Sequence, residues 1–376
     1  LYVSLGGFAG LFPQKAGLAV IDVSNPAQAV VTGLWSDPAF DRGCAAVRVD
    51  GNYAYLGAMD KGVIVVDISN PAAPKLVSKA ELDPDWPHPP GIFTEPHARG
   101  FAVRGDEVWT CFDAGALRLV NVFDKQNPVE AYKYVNEDIE AAGQIAYNTA
   151  IIAGNYLYAA VDYCGIDIVD ISKPEQPVNA GWINPWNCNN VNWNGRPGHT
   201  NQLATACNNQ LLFASGADTE VLAWSLANPT QPHLIGQHAT LLDSAATWGI
   251  DVNDSLVALA FVWNPLNIPY IAKKGGIQLL RWSCPTTSPA PESPNAGFDF
   301  LLAPNPCTDR VTVQASGQLT DPLPWALYDL HGRQLLSGIL PPVSGTPEPL
   351  KLQLGHLPAG IYCFALGGVR RLVVRQ

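Results

Sequence analysis

The stretch GVIVVDISNPAAP at residues 62–74 decides the fold of this chain. Four apolar residues follow a glycine, and an Asp, an Ile, a Ser and an Asn-Pro pair follow them. A strand that is apolar on both faces is covered by protein on both sides. Asn-Pro ends such a strand, because proline has no N–H for the ladder and Asn favours a turn. The stretch therefore predicts a short buried strand and a turn directly after it.

This stretch recurs along the chain. Strong copies are GLAVIDVSNP from residue 17 and GIDIVDISKP from residue 165, and weaker copies begin at residues 116, 220 and 276. The copies are about 50 residues apart, which is an interval typical of repeat folds. A second pattern with a Gly-Asn or Gly-Asp turn precedes most copies and predicts a hairpin. Each unit therefore has four short strands, A to D, with the quoted stretch as strand C.

Four-stranded units at this interval are typical of a β-propeller. Six copies of strand C predict an all-β chain with about six four-stranded blades. The alternative, a two-sheet sandwich, is not expected to contain such a repeat. The first copy lacks a strand A and the last lacks an evident strand D. Either strands from both ends of the repeat region share a blade, or a blade is missing from the sequence.

The three strong copies resemble the LVIVD repeats of bacterial surface proteins. The resemblance spans about residues 1–284, which we take as the propeller domain. It implies a β-propeller fold and an extracellular location. It brings no catalytic residues that could be transferred to this chain.

Composition and motifs exclude several classes of function. The net charge of −11 argues against a nucleic-acid partner, because phosphates would be repelled. No apolar stretch is long enough for a membrane-spanning helix. The sequence begins in the middle of a strand pattern without Met, from which we expect that a leader was removed. No phosphate-binding loop, HExxH or GxSxG motif is present, and we expect no cofactor and no metal.

Loop lengths distinguish the two faces of the predicted propeller. The A–B and C–D turns are tight, whereas the B–C loops and the D–A links are long, as at residues 81–97 and 182–199. In an up-and-down blade the long loops share one face, which we call the long-loop face. Binding residues are concentrated on loops held by a rigid scaffold, so we predict the ligand site on the long-loop face.

The link at residues 182–199 carries Trp182, Trp186 and Trp193 among six Asn residues. Flat aromatic rings with amide partners suit a sugar, whose C–H face stacks while its hydroxyls bond the amides. The alternative is that these Trp residues anchor the loop on the propeller. We predict them as candidate ligand-binding residues.

A second group of candidates lies near the expected channel. Trp86 and His97 lie in the link at residues 81–97, and Arg99 follows two positions after His97. His199 begins a strand A two blades later. Two His and an Arg near a channel mouth could bind an anion or assist proton transfer, or could only cap the strands. The acidic and His residues of this link match no known metal-site spacing.

Eight Cys residues and no CxxC pair are present. In a chain that is expected to be exported, this pattern favours disulfides over a zinc site. Cys164 lies at a B–C loop and Cys188 in the link that leaves the same blade. We therefore predict a Cys164–Cys188 disulfide that fastens the Trp-rich link.

The chain after residue 284 has a different character. Residues 285–298 are rich in Pro, Ser and Thr and predict a linker. Residues 299–376 alternate apolar and polar residues between turns, which predicts a small β-sandwich. Cys307 and Cys363 are candidates for a disulfide within it.

This tail resembles the type A C-terminal sorting domain of the type IX secretion system. The resemblance covers about residues 299–376 and implies export across the outer membrane of a Gram-negative bacterium. It also implies recognition by the secretion machinery and a final location at the cell surface or outside the cell. The residues that carry it are Pro304, Asn305, Pro306, Asp329, Gly332, Arg333, Pro358, Gly360 and Tyr362.

Together these features predict an extracellular propeller that binds a glycan or a protein through its long-loop face, without catalysis. One alternative is a secreted hydrolase or lyase with its site at the channel mouth near His97, Arg99 and His199. Another is a structural surface or adhesion component.

Overall fold

The structure is a computed structural model that describes the chain apart from residues 7–14, 92–94, 144, 189–197, 217–220, 239–244, 254, 264–271, 285–298, 317–321, 329–333, 342–348, 367–368 and 376. It divides into two compact units, Leu1–Ser283 and Cys284–Gln376. The predicted linker lies outside the described residues. So do three residues of the predicted sorting motif: Asp329, Gly332 and Arg333.

The first unit consists of antiparallel sheets that follow one another along the chain. Within the described residues, a three-stranded sheet comes first, four four-stranded sheets follow, and a three-stranded sheet comes last. We number these sheets as blades 1 to 6. The strands are β1 (Tyr2–Leu5), β2 (Ala16–Asp22) and β3 (Val30–Asp37) in blade 1; β4 (Val47–Asp50), β5 (Tyr53–Gly57), β6 (Val63–Asp67) and β7 (Lys75–Ala80) in blade 2; β8 (Gly100–Arg104), β9 (Glu107–Cys111), β10 (Leu117–Asn121) and β11 (Val129–Tyr134) in blade 3; β12 (Tyr147–Ala153), β13 (Tyr156–Val161), β14 (Gly165–Asp170) and β15 (Val178–Ile183) in blade 4; β16 (Leu203–Ala206), β17 (Leu211–Ser215), β18 (Val221–Ser225) and β19 (His233–His238) in blade 5; and β20 (Thr247–Val252), β21 (Leu256–Phe261) and β22 (Gly276–Arg281) in blade 6. A short helix, α1 (Glu137–Ala141), lies between blades 3 and 4, and a 3-10 turn (Pro26–Gln28) follows β2.

Consecutive blades meet through their first strands. Strand β4 contacts β8, β8 contacts β12, β12 contacts β16 and β16 contacts β20. Each sheet therefore has its strand A toward a common axis and its strand D away from it. Sheets arranged in this way form a β-propeller, as the repeat predicts. Blade 1 begins with strand B and blade 6 ends with strand C in the part of the chain that the structure describes, which agrees with the strands absent from the first and last copies.

The repeated Asp of the quoted stretch has a defined role at the end of strand C. The side chain of Asp67 accepts a hydrogen bond from the backbone N–H of Ser69 at 2.8 Å. Asp22 and Asp170 form the same bond, at 2.9 and 2.8 Å. A side chain that bonds the backbone two residues later begins a turn. The Asp therefore turns the chain toward strand D, and this backbone bond lowers the pKa of each of the three carboxyls.

The hydrophobic core of the propeller lies between blades. Five clusters of buried residues each draw on two consecutive blades. Val63 and Val65 of β6 pack against blade 3, whereas Ile64 and Val66 of the same strand pack against blade 1. All four side chains are inaccessible to solvent. Strand C is apolar on both faces because a neighbouring blade covers each face.

Strand β22 of blade 6 departs from this rule. Ile277 and Leu279 are 75% and 62% exposed. The residues at the equivalent positions of blade 3, Leu117 and Leu119, are 0% and 4% exposed. Within the described residues, no cluster joins blade 6 to blade 1, so this face of β22 is open to solvent.

In its described residues, the second unit contains seven strands in two antiparallel sheets. The strands are β23 (Asp299–Ala303), β24 (Arg310–Ser316), β25 (Leu323–Tyr328), β26 (Gln334–Leu340), β27 (Leu350–Gln353), β28 (Gly360–Leu366) and β29 (Val369–Arg375). The sheets have the orders β23-β24-β27 and β26-β25-β28-β29. Both contribute to one hydrophobic cluster, in which the rings of Phe300 and Phe364 meet edge to face at 5.5 Å.

Cys307 is a buried thiol, so the predicted Cys307–Cys363 disulfide is wrong. The N–H of Cys307 donates to the carbonyl of Val374 at 2.8 Å, which places Cys307 beside β29. Cys363 lies on β28 and pairs with Leu372 from the opposite side of β29. Adjacent strands are about 4.8 Å apart. A disulfide needs a Cα separation of about 4.4–6.8 Å, and two strand spacings exceed it.

Two residues of the sorting motif have local structural roles in this unit. The Asn305 side chain accepts the N–H of Val374 at 2.8 Å, beside the end of β29. The Tyr362 hydroxyl donates to the carbonyl of Pro358 at 2.5 Å and so closes the turn before β28. Pro304 and Pro306 flank Asn305 between β23 and β24, and Gly360 is the first residue of β28.

The open face of β22 gives a prediction with an internal control. Leu119→Ala should lower the free energy of unfolding by about 2–5 kcal/mol, because it leaves a cavity in a packed core. Leu279→Ala, the same change at the equivalent position, should cost less than about 1 kcal/mol because most of this side chain already contacts water. Urea denaturation of both variants measures the difference. Equal losses would mean that this face of β22 is covered in solution.

Candidate functional site

The same turn connects strands B and C in blades 2, 3 and 4. Its first residue has a positive φ: Met59 (53°), Asp113 (50°) and Asp162 (25°). The backbone of each of these residues pairs in antiparallel fashion with one residue at the start of the next strand A: Ala98, Tyr147 and Thr200 respectively. These pairings fix the entrance of strand A. They give defined positions to their neighbours His97 and Arg99 in blade 3, and His199 and Asn201 in blade 5.

A cavity of about 290 Å³ lies where the inner strands begin, at the long-loop end of the channel. We call this end the channel mouth. Residues from all six blades line the cavity: Ser4, Arg48, Arg99, Thr149, Gln202 and Trp248 are one from each. A second cavity of about 320 Å³ continues toward the tight-turn face and shares Arg48 and Phe101 with the first. The two cavities therefore follow the inner strands of the propeller, and both polar and apolar side chains line them.

Arg99 is fixed at the mouth by an ion pair. Its Nε donates to Oδ2 of Asp113 at 2.8 Å. His97 lies in the same group, with Nδ1 3.8 Å from Asp113 Oδ2 and Nε2 3.7 Å from Glu95 Oε2. Arg42 Nη1 in turn donates to the same Glu95 oxygen at 2.5 Å. In this network the carboxylates of Asp113 and Glu95 alternate with the side chains of Arg99, His97 and Arg42 along one side of the mouth.

His199 belongs to a second network, in blades 4 to 6. Its Nε2 is 3.1 Å from Oδ1 of Asp162, and its ring stacks on Trp248 with centroids 5.0 Å apart. The Asn148 amide donates to the same Asp162 oxygen at 2.5 Å. Burial raises the pKa of Asp162, but His199 and Asn148 outweigh burial and hold the pKa below its ordinary value. Asp162 is therefore a carboxylate that holds His199 behind Trp248.

The structure thus places the predicted His97, Arg99 and His199 at one mouth. Of the three, Arg99 lines the cavity, whereas His97 and His199 are 9% and 2% exposed and lie behind it. Sequence reasoning missed Arg48, Asn201 and the other polar wall residues. One signal was available, because Asn201 follows His199 by two positions, as Arg99 follows His97.

Two of the predicted Trp residues, Trp182 and Trp186, anchor loops. Trp182 donates from Nε1 to the carbonyl of Cys164 at 2.6 Å and packs against the core between blades 3 and 4. Trp186 packs on blade 5 and on Gly198, where a Cβ would lie 1.7 Å from the indole. Neither lines the cavity. Trp193 lies outside the described residues.

Trp86 and its link are held by the buried Arg118. The guanidinium lies 4.8 Å from the Trp86 ring centroid, and Nη2 donates to the Trp86 carbonyl at 2.5 Å. The same group pairs with Glu130 and also donates to the carbonyls of Asp83 and Gly115. Arg118 is inaccessible to solvent, and burial lowers its pKa. It replaces an apolar residue of strand C and connects the link at residues 81–97 to the core.

Asp167 has the equivalent position and role in blade 4. Its carboxylate accepts hydrogen bonds from the Asn136 amide at 2.8 Å and from the Tyr147 hydroxyl at 2.7 Å. Asn136 begins helix α1, so these bonds hold the link between blades 3 and 4. Burial raises the pKa of Asp167 to about 6, although the hydrogen bonds oppose the shift.

The predicted Cys164–Cys188 disulfide is confirmed, and it joins two residues 24 positions apart. It fastens the start of the Trp-rich link to the B–C turn of the blade that the link leaves. Closing a loop of this size contributes about 3 kcal/mol in the loop-entropy account.

Among the described residues, no group of three or more His, Cys, Asp and Glu side chains has the geometry of a metal site. A search of the same residues found no helix long and apolar enough to span a membrane.

Three segments of the chain match the LVIVD repeat, at residues 5–35, 42–81 and 149–184. These segments correspond to blades 1, 2 and 4, which contain the strong copies of the quoted stretch. The chain is therefore a β-propeller that contains LVIVD repeats. No curated protein sequence matches the chain.

Several solved structures are similar to the chain at low sequence identity. A chain in the crystal structure of the Mitotic Checkpoint Complex has a TM-score of 0.52 and 9% identity, over 75% of this chain and 74% of that chain. The computationally designed Ika8 protein has a TM-score of 0.45 and 12% identity, over 99% and 93%. The β-propeller domain of Myceliophteria thermophila Cps50 (Swd1) has a TM-score of 0.45 and 11% identity, over 74% and 85%. Similarity at these identities concerns the fold alone.

The raised pKa of Asp167 predicts a pH-dependent stability. The folded state holds the Asp167 proton up to about pH 6, whereas an unfolded Asp releases it near pH 3.9. The stabilising contribution is therefore complete below about pH 4 and is lost as the pH rises through 6. The loss is about 3 kcal/mol for a shift of about two pKa units. The stability of the wild type relative to Asp167→Asn should fall by this amount in urea denaturation between pH 4 and pH 7.

Asp170→Asn is the matched control, three residues further along the same strand. The pKa of Asp170 is lowered by the Ser172 N–H, so the wild type should gain stability relative to this variant as the pH rises. A stability difference between wild type and Asp167→Asn that does not change with pH would contradict the assignment.

Proposed function

We propose that the first unit is an extracellular binding module that takes the end of a glycan into the channel mouth. The observation that carries the proposal is the cavity of about 290 Å³ to which all six blades contribute. Small-molecule sites are concave and have a few placed polar groups among apolar ones. A glycan end fits a cavity of this size, whereas a protein partner would need a broad surface.

The polar groups of the mouth favour binding because they are already ordered. Arg99 is held by Asp113 and His199 by Asp162, so neither side chain has to be immobilised when a ligand enters. The Asn201 amide Nδ2 is buried and has no hydrogen-bond partner in the described part of the chain. A buried donor without a partner costs free energy, and a ligand hydroxyl or carboxylate would remove that cost.

The apolar part of the site consists of Phe101 and Trp248. Both line the cavity, and Trp248 is stacked on its other side against His199. An aromatic ring fixed in this way offers one face to the C–H groups of a sugar. In this proposal Trp86, Trp182 and Trp186 hold the surrounding links in place and do not contact the ligand.

The second unit is proposed to export the module. Its two sheets with one shared core are suited to a small β-sandwich. The sequence of residues 299–376 resembles the type A sorting domain of the type IX secretion system. The Cys164–Cys188 disulfide favours an oxidising compartment such as the periplasm or the cell exterior. The module would then act at the surface of, or outside, a Gram-negative bacterium.

Blocking the mouth should abolish glycan binding. Ser4 lines the cavity, and Ser4→Phe adds a ring there without removing a charged group. Ser172→Phe makes the same change in an exposed C–D turn on the opposite face. On a glycan array, the full chain and Ser172→Phe should bind the same glycans, and Ser4→Phe should lose at least tenfold in signal. Equal binding by all three proteins, or no glycan bound by the folded wild type, would refute the site.

Export is tested with the unmodified full chain. In a Gram-negative host with an intact type IX secretion system, the chain should reach the cell surface or the medium. In an otherwise identical host without the system, it should remain in the periplasm. Immunoblots of the two fractions measure the difference. Equal amounts outside both strains would contradict the sorting role.

A further inference from the structure

We infer that the ligand of the channel mouth is an acidic sugar, bound through a carboxylate that pairs with Arg48. The inference rests on the proposed function and specifies the class of ligand. Arg48 lies on β4 and lines both cavities of the channel. It lies where the two cavities meet. The part of a ligand that enters the mouth first would therefore reach Arg48.

Arg48 differs from the other arginines near the channel in having no ion-pair partner among the described residues. Arg99 pairs with Asp113, Arg42 with Glu95 and Arg104 with Glu107. Among the described residues, no Asp or Glu lines the mouth cavity, and Asp50 lines the second cavity. Arg48 is exposed to solvent within the channel, and the charged residues that line the two cavities with it are Arg99 in the first and Asp50 in the second. A ligand carboxylate is the natural partner, because the fork of N–H donors matches its two oxygens.

The charge of the wall favours a monoanion. Arg48 and Arg99 are the two cationic residues that line the cavity, and Asp113 already neutralises Arg99. One unpaired positive charge therefore remains. A carboxylate matches it, whereas a phosphate monoester carries up to two negative charges at neutral pH, and the second would lack a partner.

The neighbouring donors are those that a sugar acid would use. The Asn201 side chain is 4% exposed, lines the cavity and has an unpartnered Nδ2. Gln202, the next residue, accepts the N–H of Ile250 through Oε1 at 3.3 Å. Its amide plane is therefore oriented by the protein. Phe101 and Trp248 supply the apolar wall. Arg48 thus selects the charge, and the amides and rings recognise the sugar.

The experiment is isothermal titration calorimetry of the full chain with D-glucuronate, D-glucose and glucose 6-phosphate. Glucuronate and glucose share the ring and differ in the carboxylate, so glucuronate should bind at least tenfold more tightly. Arg48→Gln should weaken glucuronate binding at least tenfold and so remove most of the preference for glucuronate over glucose. Arg48→Lys should retain part of the preference, because it keeps the charge but not the fork.

The control is Arg104→Gln, which removes the same charge at the other end of a channel-facing strand, where Arg104 pairs with Glu107. It should bind glucuronate as the wild type does. Equal affinity for glucose and glucuronate, or an unchanged Arg48→Gln, would overturn the inference while the glycan site stands. Tighter binding of glucose 6-phosphate, or no binding of glucuronate to the folded wild type, would also overturn it. Failure of the proposed function itself is separate, since it appears as glycan binding that Ser4→Phe does not reduce.

Discussion

The packing of strand C between two neighbouring blades is the interaction on which the rest of the propeller depends. Val63, Ile64, Val65 and Val66 alternate between two different blades and are inaccessible to solvent. A single blade would expose one face of this strand to water, so no blade is stable without its neighbours. The requirement sets the blades side by side with strand A innermost. The channel therefore results from the packing of the core between blades. Its walls are the inner strands of sheets whose positions are fixed by that packing.

The same strand also fixes the long loops. Its third position is Ile64 in blade 2, Arg118 in blade 3 and Asp167 in blade 4, and each side chain is inaccessible to solvent. At this position Arg118 and Asp167 make less apolar contact between blades than Ile64 does. They form hydrogen bonds with the preceding link instead. Buried polar groups are tolerated only when their hydrogen bonds are made. Arg118 and Asp167 thereby hold the links near the mouth. If a link moved away, its hydrogen bonds to the buried guanidinium or carboxyl group would be lost, and this cost keeps the mouth rigid.

The blades could be predicted from the sequence because one short pattern determines strand C and the turn after it. The pattern consists of an apolar strand, an Asp that turns the chain, and a proline that ends the hydrogen bonding between strands. The Cys164–Cys188 disulfide could be predicted because both residues belong to the exits of one blade. The Cys307–Cys363 disulfide was wrong because it depends on which strands are adjacent, and β29 lies between them. The anchoring role of Arg118 could not be predicted, because its partners Glu130 and Trp86 lie in other elements. In the sequence, an Arg in strand C resembles a degraded repeat.

The mouth residues were partly predictable for a related reason. His97, Arg99 and His199 are conspicuous next to long loops. Arg48 is an ordinary residue of a short strand, and its importance follows only from its place in the wall of both cavities without an ion-pair partner among the described residues. The net charge of −11 repels anions at long range, but charges beyond about 8 Å are largely screened at physiological salt. Among the described residues that line the mouth cavity, the charged group without an ion-pair partner is the cation of Arg48, whereas Asp50 lines the second cavity. In the proposed binding of an acidic sugar, the net charge of the chain would slow the approach of the anion, and the guanidinium of Arg48 would stabilise it once bound.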